Sequence, residues 1–91
     1  MSESNTPNIE IYTQWGCGYC ARAKALFDAK GVAYTEYDVT MGGPKRAEMQ
    51  ARAPGARTVP QIFIDDFHVG GFDDLAAFDH AGKLVPLLAG E

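Results

Sequence analysis

Residues 9–30 of the chain read IEIYTQWGCGYCARAKALFDAK, and this stretch decides the fold. Its first four residues alternate apolar and polar side chains, as a half-buried strand does. From about residue 18 to residue 30 the stretch is rich in alanine, lysine and arginine, which are strong helix formers. Gly31 then predicts the C-terminal cap of that helix. The stretch therefore predicts a strand followed by a helix, with two cysteines, Cys17 and Cys20, at the junction.

The predicted helix has one apolar face, because Tyr19, Ala23, Leu26 and Phe27 recur at helical spacing. The later elements are predicted in chain order as a strand over residues 32–39, a helix over 44–52, strands over 59–64 and 67–69, a helix over 73–80 and a last helical turn within 83–89.

This order of elements, β-α-β-α-β-β-α, is typical of the α/β class. A strand–helix–strand start implies a parallel pair of strands joined by a right-handed crossover. The last two strands are close together in the chain and imply an antiparallel hairpin. We therefore expect a four-stranded mixed sheet with helices on both faces.

Composition and charge exclude several classes of protein. The 91 residues are enough for one domain, and we expect a flexible leader over residues 1–7 and a single domain over residues 8–91. Twelve acidic residues against eight basic ones give a net charge of −4, which argues against a nucleic-acid partner. No apolar run approaches the roughly 20 residues of a membrane span, and the polar first eight residues are not typical of a secretory signal. We therefore expect a cytoplasmic protein with neither nucleic-acid nor membrane partners.

The two cysteines lie three residues apart at the start of the predicted helix. The first turn of a helix has unpaired N–H groups and the positive end of the helix dipole, and both favour a thiolate at Cys17. Cys20, one turn further on, is expected to be less exposed. The arrangement predicts that Cys17 attacks a disulfide and that Cys20 resolves the mixed disulfide that forms.

The cysteine pair has two other interpretations. A structural zinc site needs a second pair of ligands, and His68 and His80 are too far apart in sequence for the usual spacing. The cysteines could also be inert core residues. Both interpretations are less favoured, because a Cys-x-x-Cys pair near a strand–helix–strand pattern is typical of a redox site.

Beyond the cysteine pair, the chain carries several separated motifs. They are Ile-Tyr-Thr at residues 11–13, Ala-Lys-Ala-Leu-Phe at 23–27, Thr-Val-Pro-Gln-Ile-Phe-Ile at 58–64 and Gly-Gly-Phe-Asp-Asp-Leu at 70–75. With Cys-Gly-Tyr-Cys at 17–20, this ordered set resembles the glutaredoxins, specifically the short bacterial dithiol type. The resemblance implies a thioredoxin-like fold and a monomeric enzyme. It also implies that glutathione is the reductant for protein disulfides and glutathione mixed disulfides.

The resemblance assigns glutathione binding first to Thr58, Val59 and Pro60. In the family, a Thr-Val-Pro stretch carries a cis proline that faces the redox pair. The exposed backbone of Val59 would then pair with the backbone of glutathione as a neighbouring strand does. The alternative is a proline that only starts an edge strand.

The second assigned stretch is Gly71, Phe72, Asp73 and Asp74, which precedes the third predicted helix. Backbone N–H groups at a helix start bind a carboxylate, and an aspartate pairs with an ammonium group. The resemblance therefore places the γ-glutamyl end of glutathione here. The alternative, which does not exclude binding, is that Asp73 or Asp74 caps the helix.

Three further residues match family positions around glutathione. Tyr19 matches an aromatic residue beside the glutathione sulfur, and its alternative is packing on the helix face. Arg46 matches a basic residue that faces the glycyl carboxylate in relatives, and its alternative is a solvated helix charge. Gln14 stands where relatives usually have lysine. It retains a hydrogen bond to a carboxylate but not the charge, so the Cys17 thiolate loses one stabilising partner.

Other departures concern Gly18, where relatives usually have proline, Phe72, where they often have cysteine, and the pair Trp15-Gly16. Relatives with glycine or serine at the position of Gly18 include members that bind a [2Fe-2S] cluster between two subunits. The resemblance thus implies an alternative function, in which Cys17 of each subunit and two glutathiones hold a cluster in a homodimer. A third interpretation is an electron donor served by thioredoxin reductase. Such a donor would lack the glutathione contacts, so residues 58–60 and 71–74 argue against it.

Overall fold

The computed structural model describes residues 7–89. The predicted leader, residues 1–7, therefore lies outside the described residues except for Pro7. The described strands are β1 (Ile9–Thr13), β2 (Thr35–Asp38), β3 (Gln61–Ile64) and β4 (Phe67–Gly70). The described helices are α1 (Gly18–Ala29), α2 (Pro44–Arg52), α3 (Phe72–His80) and α4 (Leu84–Leu88). No helix within residues 7–89 is long and apolar enough to cross a membrane.

The four strands form one mixed sheet in the order β2-β1-β3-β4. β1 pairs with β2 in parallel, and α1 provides the crossover between them. β3 pairs antiparallel with both β1 and β4. The predicted α/β class, the parallel first pair and the final hairpin are confirmed. β3 is an interior strand, so the segment that leads into it approaches the middle of the sheet and not its edge.

The side chains of β1 and β3 alternate between two hydrophobic clusters, because successive residues of a strand point to opposite faces. On one face, isoleucines of both strands pack against α1, α3 and α4 through Ala23, Phe27, Leu75, Leu84 and Leu88. On the other face, Tyr12 and Phe63 pack against α2 through Met49. The helices therefore cover both faces of the sheet, as predicted.

Two strands begin later than the sequence predicts. β2 begins at Thr35 and not at residue 32, because the chain from Lys30 to Val32 forms the C-terminal cap of α1. Gly31 adopts a positive φ of 72°, and the Val32 N–H donates to the Phe27 carbonyl at 3.2 Å, which closes the helix in a Schellman motif. β3 begins at Gln61 and not at residue 59, since Pro60 has no N–H for a strand ladder.

The predicted packing face of α1 is wrong at its first residue. Ala23 and Phe27 are buried in the core and Leu26 packs against it. Tyr19 is 54% exposed instead. It lies on the first turn of α1, where the helix end extends past the hydrophobic core, and its ring stacks against Phe72.

Candidate active site

Cys17 caps the N-terminus of α1 with an extended backbone, φ −88° and ψ 111°. The loop after β1 delivers the chain directly to the helix start, so the Cys17 side chain faces the unpaired N–H groups of the first turn. The Cys20 N–H donates to the Cys17 Sγ at 3.1 Å. This bond and the helix dipole both stabilise negative charge on the sulfur. Cys17 is half-buried and therefore accessible to another sulfur.

Cys20 is only 2% exposed, which confirms that it is the less accessible cysteine. Burial, and after it the hydrogen bond with Cys17, raises the pKa of the Cys20 thiol to about 12. Cys20 is therefore a neutral thiol near neutral pH. The two cysteines thus differ in the way that an attacking and a resolving residue must differ.

The segment Thr58–Pro60 lies directly against the redox pair. The peptide bond between Val59 and Pro60 is cis, as the resemblance implies. The Val59 carbonyl oxygen is 3.7 Å from the Cys17 Sγ. Within residues 7–89, no backbone carbonyl accepts from the Val59 N–H. Among the described residues, Val59 therefore has an N–H without a backbone partner, while its carbonyl lies close to the reactive sulfur.

A groove of about 640 Å³ lies beside this segment, which is within the usual size range of small-molecule sites. The residues that line it come from the start of α1, the loop before β3, the β3–β4 hairpin and the start of α3. They are Tyr19, Pro54, Gly55, Ala56, Thr58, Val59, Pro60, Gln61, His68, Gly70, Gly71, Phe72, Asp73 and Asp74. Eight of the residues predicted for glutathione binding are thus brought together in one groove.

The polar end of the groove is the N-terminus of α3. Gly71 is the N-cap of this helix, and its N–H donates to the Asp74 Oδ2 at 3.2 Å. Gly70 has a φ of +116°, and a Cβ there would collide with the Asp74 carboxylate, so this position needs glycine. Asp74 therefore does cap the helix, and it also lines the groove as an exposed carboxylate.

The apolar wall of the groove is formed by Tyr19 and Phe72. Their rings stack with centroids 6.2 Å apart and planes inclined by 29°. The guanidinium carbon of Arg22 lies 5.3 Å from the centre of the Tyr19 ring. Two aromatic rings at this place suit the sulfur and methylene groups of a thiol ligand better than a polar wall would.

Four predicted site residues do not line this groove: Cys17, Cys20, Gln14 and Arg46. Both cysteines and Gln14 line a second cleft instead, together with Trp15 and Gly18. Arg46 lines a third cleft, and its Nη1 donates to the Val39 carbonyl at 3.4 Å. Gly55 and Ala56 line both the groove and the third cleft, so the two adjoin.

Sequence reasoning missed several residues of the groove, chiefly Gln61, His68 and the loop at residues 54–56. One signal for Gln61 was available, since it is a polar residue at the head of the otherwise apolar run Ile62–Ile64. It is only 5% exposed. Nothing in the sequence marks His68, which faces Gln61 only because β3 and β4 pair as a hairpin.

Metal-ligating side chains do not gather elsewhere in the described part of the chain. Within residues 7–89, no group of three or more histidine, cysteine, aspartate or glutamate residues is placed to hold a metal ion.

Comparison with known proteins decides the family. The glutaredoxin family model matches residues 9–69. Glutaredoxin 3 of Escherichia coli K12 is 54% identical over 81 residues, which cover 89% of this chain and 96% of that protein. The chain belongs to the glutaredoxin family. As a glutaredoxin it is a thiol–disulfide oxidoreductase, with Cys17 and Cys20 in the position of the Cys-x-x-Cys active site.

Solved glutaredoxin structures share its thioredoxin-like fold. The solution structure of the glutaredoxin from Brucella melitensis is 48% identical with a TM-score of 0.82, over 99% of this chain and 98% of that one. The crystal structure of a buckwheat glutaredoxin–glutathione complex is 35% identical with a TM-score of 0.82, over 94% of this chain and 80% of that one.

Proposed function

We propose that this glutaredoxin uses glutathione to reduce protein disulfides and glutathione mixed disulfides. The observation that carries the proposal is the position of Val59 in the groove. Its N–H has no backbone partner within residues 7–89, and its carbonyl oxygen lies 3.7 Å from the Cys17 sulfur. A peptide thiol in this groove would place its own backbone against Val59 and its sulfur against Cys17. The buckwheat relative, solved as a complex with glutathione, supports this choice of ligand.

The remaining groove residues suit the other parts of glutathione. The first N–H groups of α3, around Phe72 and Asp73, would bind the γ-glutamyl carboxylate. The Asp74 carboxylate would pair with the ammonium group of the same residue. Tyr19 and Phe72 would cover the cysteinyl part. Arg46 and Gln14 lie outside the groove, so we propose them only as longer-range cationic and polar partners of the glycyl end.

Reduction of a glutathione mixed disulfide needs only Cys17. The Cys17 thiolate attacks the glutathione sulfur, the original S–S bond breaks, and the protein leaves as a thiolate that takes up a proton. A second glutathione thiolate then attacks the Cys17–glutathione disulfide. This step releases oxidised glutathione and regenerates the Cys17 thiolate.

Reduction of a protein disulfide needs both cysteines. Cys17 attacks one sulfur and forms a mixed disulfide with the protein, whose other sulfur leaves as a thiol. Cys20 then loses its proton and attacks the Cys17 sulfur, which releases the second protein thiol and leaves a Cys17–Cys20 disulfide. Two glutathiones return this disulfide to the dithiol and become oxidised glutathione. We further propose that these reactions take place in the cytoplasm with a monomeric enzyme.

The test supplies electrons by two routes. A glutathionylated peptide is offered with glutathione, glutathione reductase and NADPH in one assay, and with thioredoxin reductase and NADPH in the other. We expect turnover that saturates with the glutathionylated peptide in the first assay only. Turnover through thioredoxin reductase alone would contradict glutathione dependence.

Gly18 supports a second candidate function, the binding of a [2Fe-2S] cluster between two subunits. A Cβ at Gly18 would meet no atom within 4 Å, and its φ is not positive, so neither packing nor backbone geometry requires glycine there. We infer that glycine, unlike the proline usual in relatives, leaves the half-buried Cys17 sulfur uncrowded on this side. Cys17 fits as one thiolate ligand per subunit, whereas Cys20 is buried and neutral. The cluster needs four thiolates, so glutathione would supply the other two.

The cluster is tested by a visible absorption spectrum after anaerobic incubation with iron, sulfide and glutathione, with molecular size measured alongside. Charge-transfer bands in a dimer fraction, absent from Cys17→Ser, would support this second function. A colourless monomer would contradict it and leave the thiol–disulfide oxidoreductase as the only function.

A further inference from the structure

We propose that Gln61 and His68 are positioning residues for glutathione, because together they hold the peptide that presents the Val59 N–H to the groove. This inference rests on the proposed function and extends it to two residues that contact neither cysteine. The Gln61 side chain is a buried amide in an otherwise apolar strand. Gln61 is 5% exposed and heads β3, whose other residues are isoleucine and phenylalanine.

The Gln61 side chain reaches back to the glutathione-binding segment. Its Nε2 donates to the Thr58 carbonyl oxygen at 2.9 Å and lies 3.4 Å from the Thr58 Oγ1. The peptide between Thr58 and Val59 is trans, since the cis bond of the described residues is Val59–Pro60. In a planar trans peptide, the carbonyl and the N–H point in opposite directions. A bond that fixes the Thr58 carbonyl therefore also fixes the direction of the Val59 N–H.

His68 fixes the Gln61 amide in turn. The His68 Nε2 lies 2.7 Å from the Gln61 Oε1. The Thr58 carbonyl accepts hydrogen bonds only, so the amide must turn its nitrogen toward Thr58 and its oxygen toward His68. That oxygen also accepts only, so His68 must carry its proton on Nε2. The donor and acceptor pattern thus assigns both the Gln61 rotamer and the His68 tautomer.

The His68 ring is itself held in place from the side of α2. It stacks on the Phe63 ring with centroids 4.7 Å apart and planes inclined by 19°. The Arg52 guanidinium carbon lies 3.9 Å from the centre of the Phe63 ring. Both Gln61 and His68 line the groove. A line of contacts therefore runs from α2 to the Thr58–Val59 peptide.

The first test replaces the buried amide by a side chain of similar shape. Gln61→Met removes both hydrogen bonds, and Gln50→Met makes the same change at an exposed glutamine of α2. The Val59 N–H would contact a part of glutathione that does not react, so its misorientation weakens binding in the ground and transition states alike. We expect the KM for a glutathionylated peptide to rise about five- to tenfold in Gln61→Met, as the loss of one oriented hydrogen bond predicts. We expect kcat to change by less than about twofold, and Gln50→Met to match the wild type.

A second pair of variants acts at His68, which is exposed, so we expect both variants to fold. His68→Phe keeps a ring over Phe63 and removes the donor, whereas His68→Gln keeps an N–H donor. We expect His68→Phe to raise the KM and His68→Gln to preserve most of the wild-type value. In the wild type, nitrogen chemical shifts of the His68 ring at high pH should report the Nε2–H tautomer.

An unchanged KM in Gln61→Met or in His68→Phe would overturn the inference, and so would an Nδ1–H tautomer in the wild type. If the wild type itself showed no saturable turnover with glutathione, the proposed function would fail and this inference with it. A saturable wild type with unaffected variants would instead leave the proposed function standing and remove only the positioning role.

Discussion

The Val59 carbonyl oxygen lies 3.7 Å from the Cys17 sulfur, although the two residues are 42 positions apart in the chain. β1 and β3 are antiparallel neighbours in the sheet, so the last residues of β1 and the first residues of β3 lie side by side at the same end of the sheet. Cys17 follows β1 and Val59 precedes β3. The sulfur therefore lies between a helix N-terminus, which stabilises its charge, and the backbone that we propose binds the substrate.

The two cysteines should respond differently to the same substitution. Cys17→Ser should abolish all glutathione-coupled turnover, because it removes the attacking sulfur. Cys20→Ser should keep the reduction of glutathionylated substrates and lose the reduction of protein disulfides, because it removes only the resolving sulfur. Parallel assays with a glutathionylated peptide and a disulfide-containing protein measure both. Substantial activity in Cys17→Ser would overturn the assignment of the nucleophile.

The two cysteines should react with an alkylating reagent at different rates, because the Cys20 thiol stays protonated. Since burial raises the pKa of Cys20 to about 12, its thiolate is scarce until the pH approaches that value, and the thiolate is the form that reacts. The reduced native protein, treated with iodoacetamide at pH 8, should gain one label at Cys17 by mass spectrometry. The denatured protein is the control and should gain two. A second label on the native protein at pH 8 would contradict a protonated, buried Cys20.

Asp74 should have two separable roles. Asp74→Ala removes the hydrogen bond to the Gly71 N–H, so it should lower the free energy of unfolding by about 1 kcal/mol and raise the KM for glutathione. Asp74→Asn keeps a capping oxygen and removes the charge. It should raise the KM with little loss of stability. Urea unfolding and steady-state kinetics on both variants measure the two effects. If neither variant changed the KM, Asp74 would be a helix cap alone.

Arg52 should be the ionic residue that contributes most to stability. Its Nη2 lies 3.0 Å from the Glu10 Oε1, and the two side chains are 21% and 13% exposed. Its Nη1 also donates to the Tyr12 hydroxyl at 2.9 Å. Arg52→Met leaves the poorly solvated Glu10 carboxylate without its cationic partner and with only the Tyr37 hydroxyl as a donor, so it should lower the free energy of unfolding by about 2 kcal/mol.

The control for Arg52 is an exposed ion pair. The side chains of Lys45 and Glu48 are 47% and 40% exposed. Lys45→Met breaks this ion pair and should lower the free energy of unfolding by less than about 1 kcal/mol. The double variant Arg52→Met/Glu10→Gln should recover part of the stability lost in Arg52→Met, because it removes the unpaired charge. Urea unfolding of all four proteins measures these differences. Equal losses in Arg52→Met and Lys45→Met would contradict the role of burial.

The order of strands and helices was predictable because it depends on local features. The strand and helix within residues 9–30 follow from side-chain period and from Gly31 at the helix end. The position of the pair at a strand-to-helix junction predicts that Cys20, one turn into the helix, is less exposed than Cys17 at its start. The prediction was wrong where tertiary packing, and not the local pattern, determines burial. Tyr19 has the spacing of a core residue, but the hydrophobic core ends before it.

The groove itself could be anticipated only through resemblance to a family. Val59, Gly71 and Tyr19 are far apart in the chain, and the pairing of β1 with β3 and of β3 with β4 brings them together. Arg46 belongs to α2, which covers the other face of the sheet from α1 and α3. It therefore lines the neighbouring third cleft and not the groove. No period or spacing in a single sequence encodes these distances.

The sequence by itself determined the class of chemistry, because a cysteine pair at a helix start places one sulfur against the unpaired N–H groups of the first turn and the positive end of the helix dipole. Only the tertiary structure decided which residues stand around those sulfurs. The contact between Gln61 and His68 exists because β3 and β4 pair with His68 opposite Phe63, whose side chain shares a face of β3 with that of Gln61. A shift of one residue in this pairing would turn His68 to the opposite face of the sheet. Local sequence patterns determine where the reactive cysteines lie, and the pairing of distant strands determines which residues surround them.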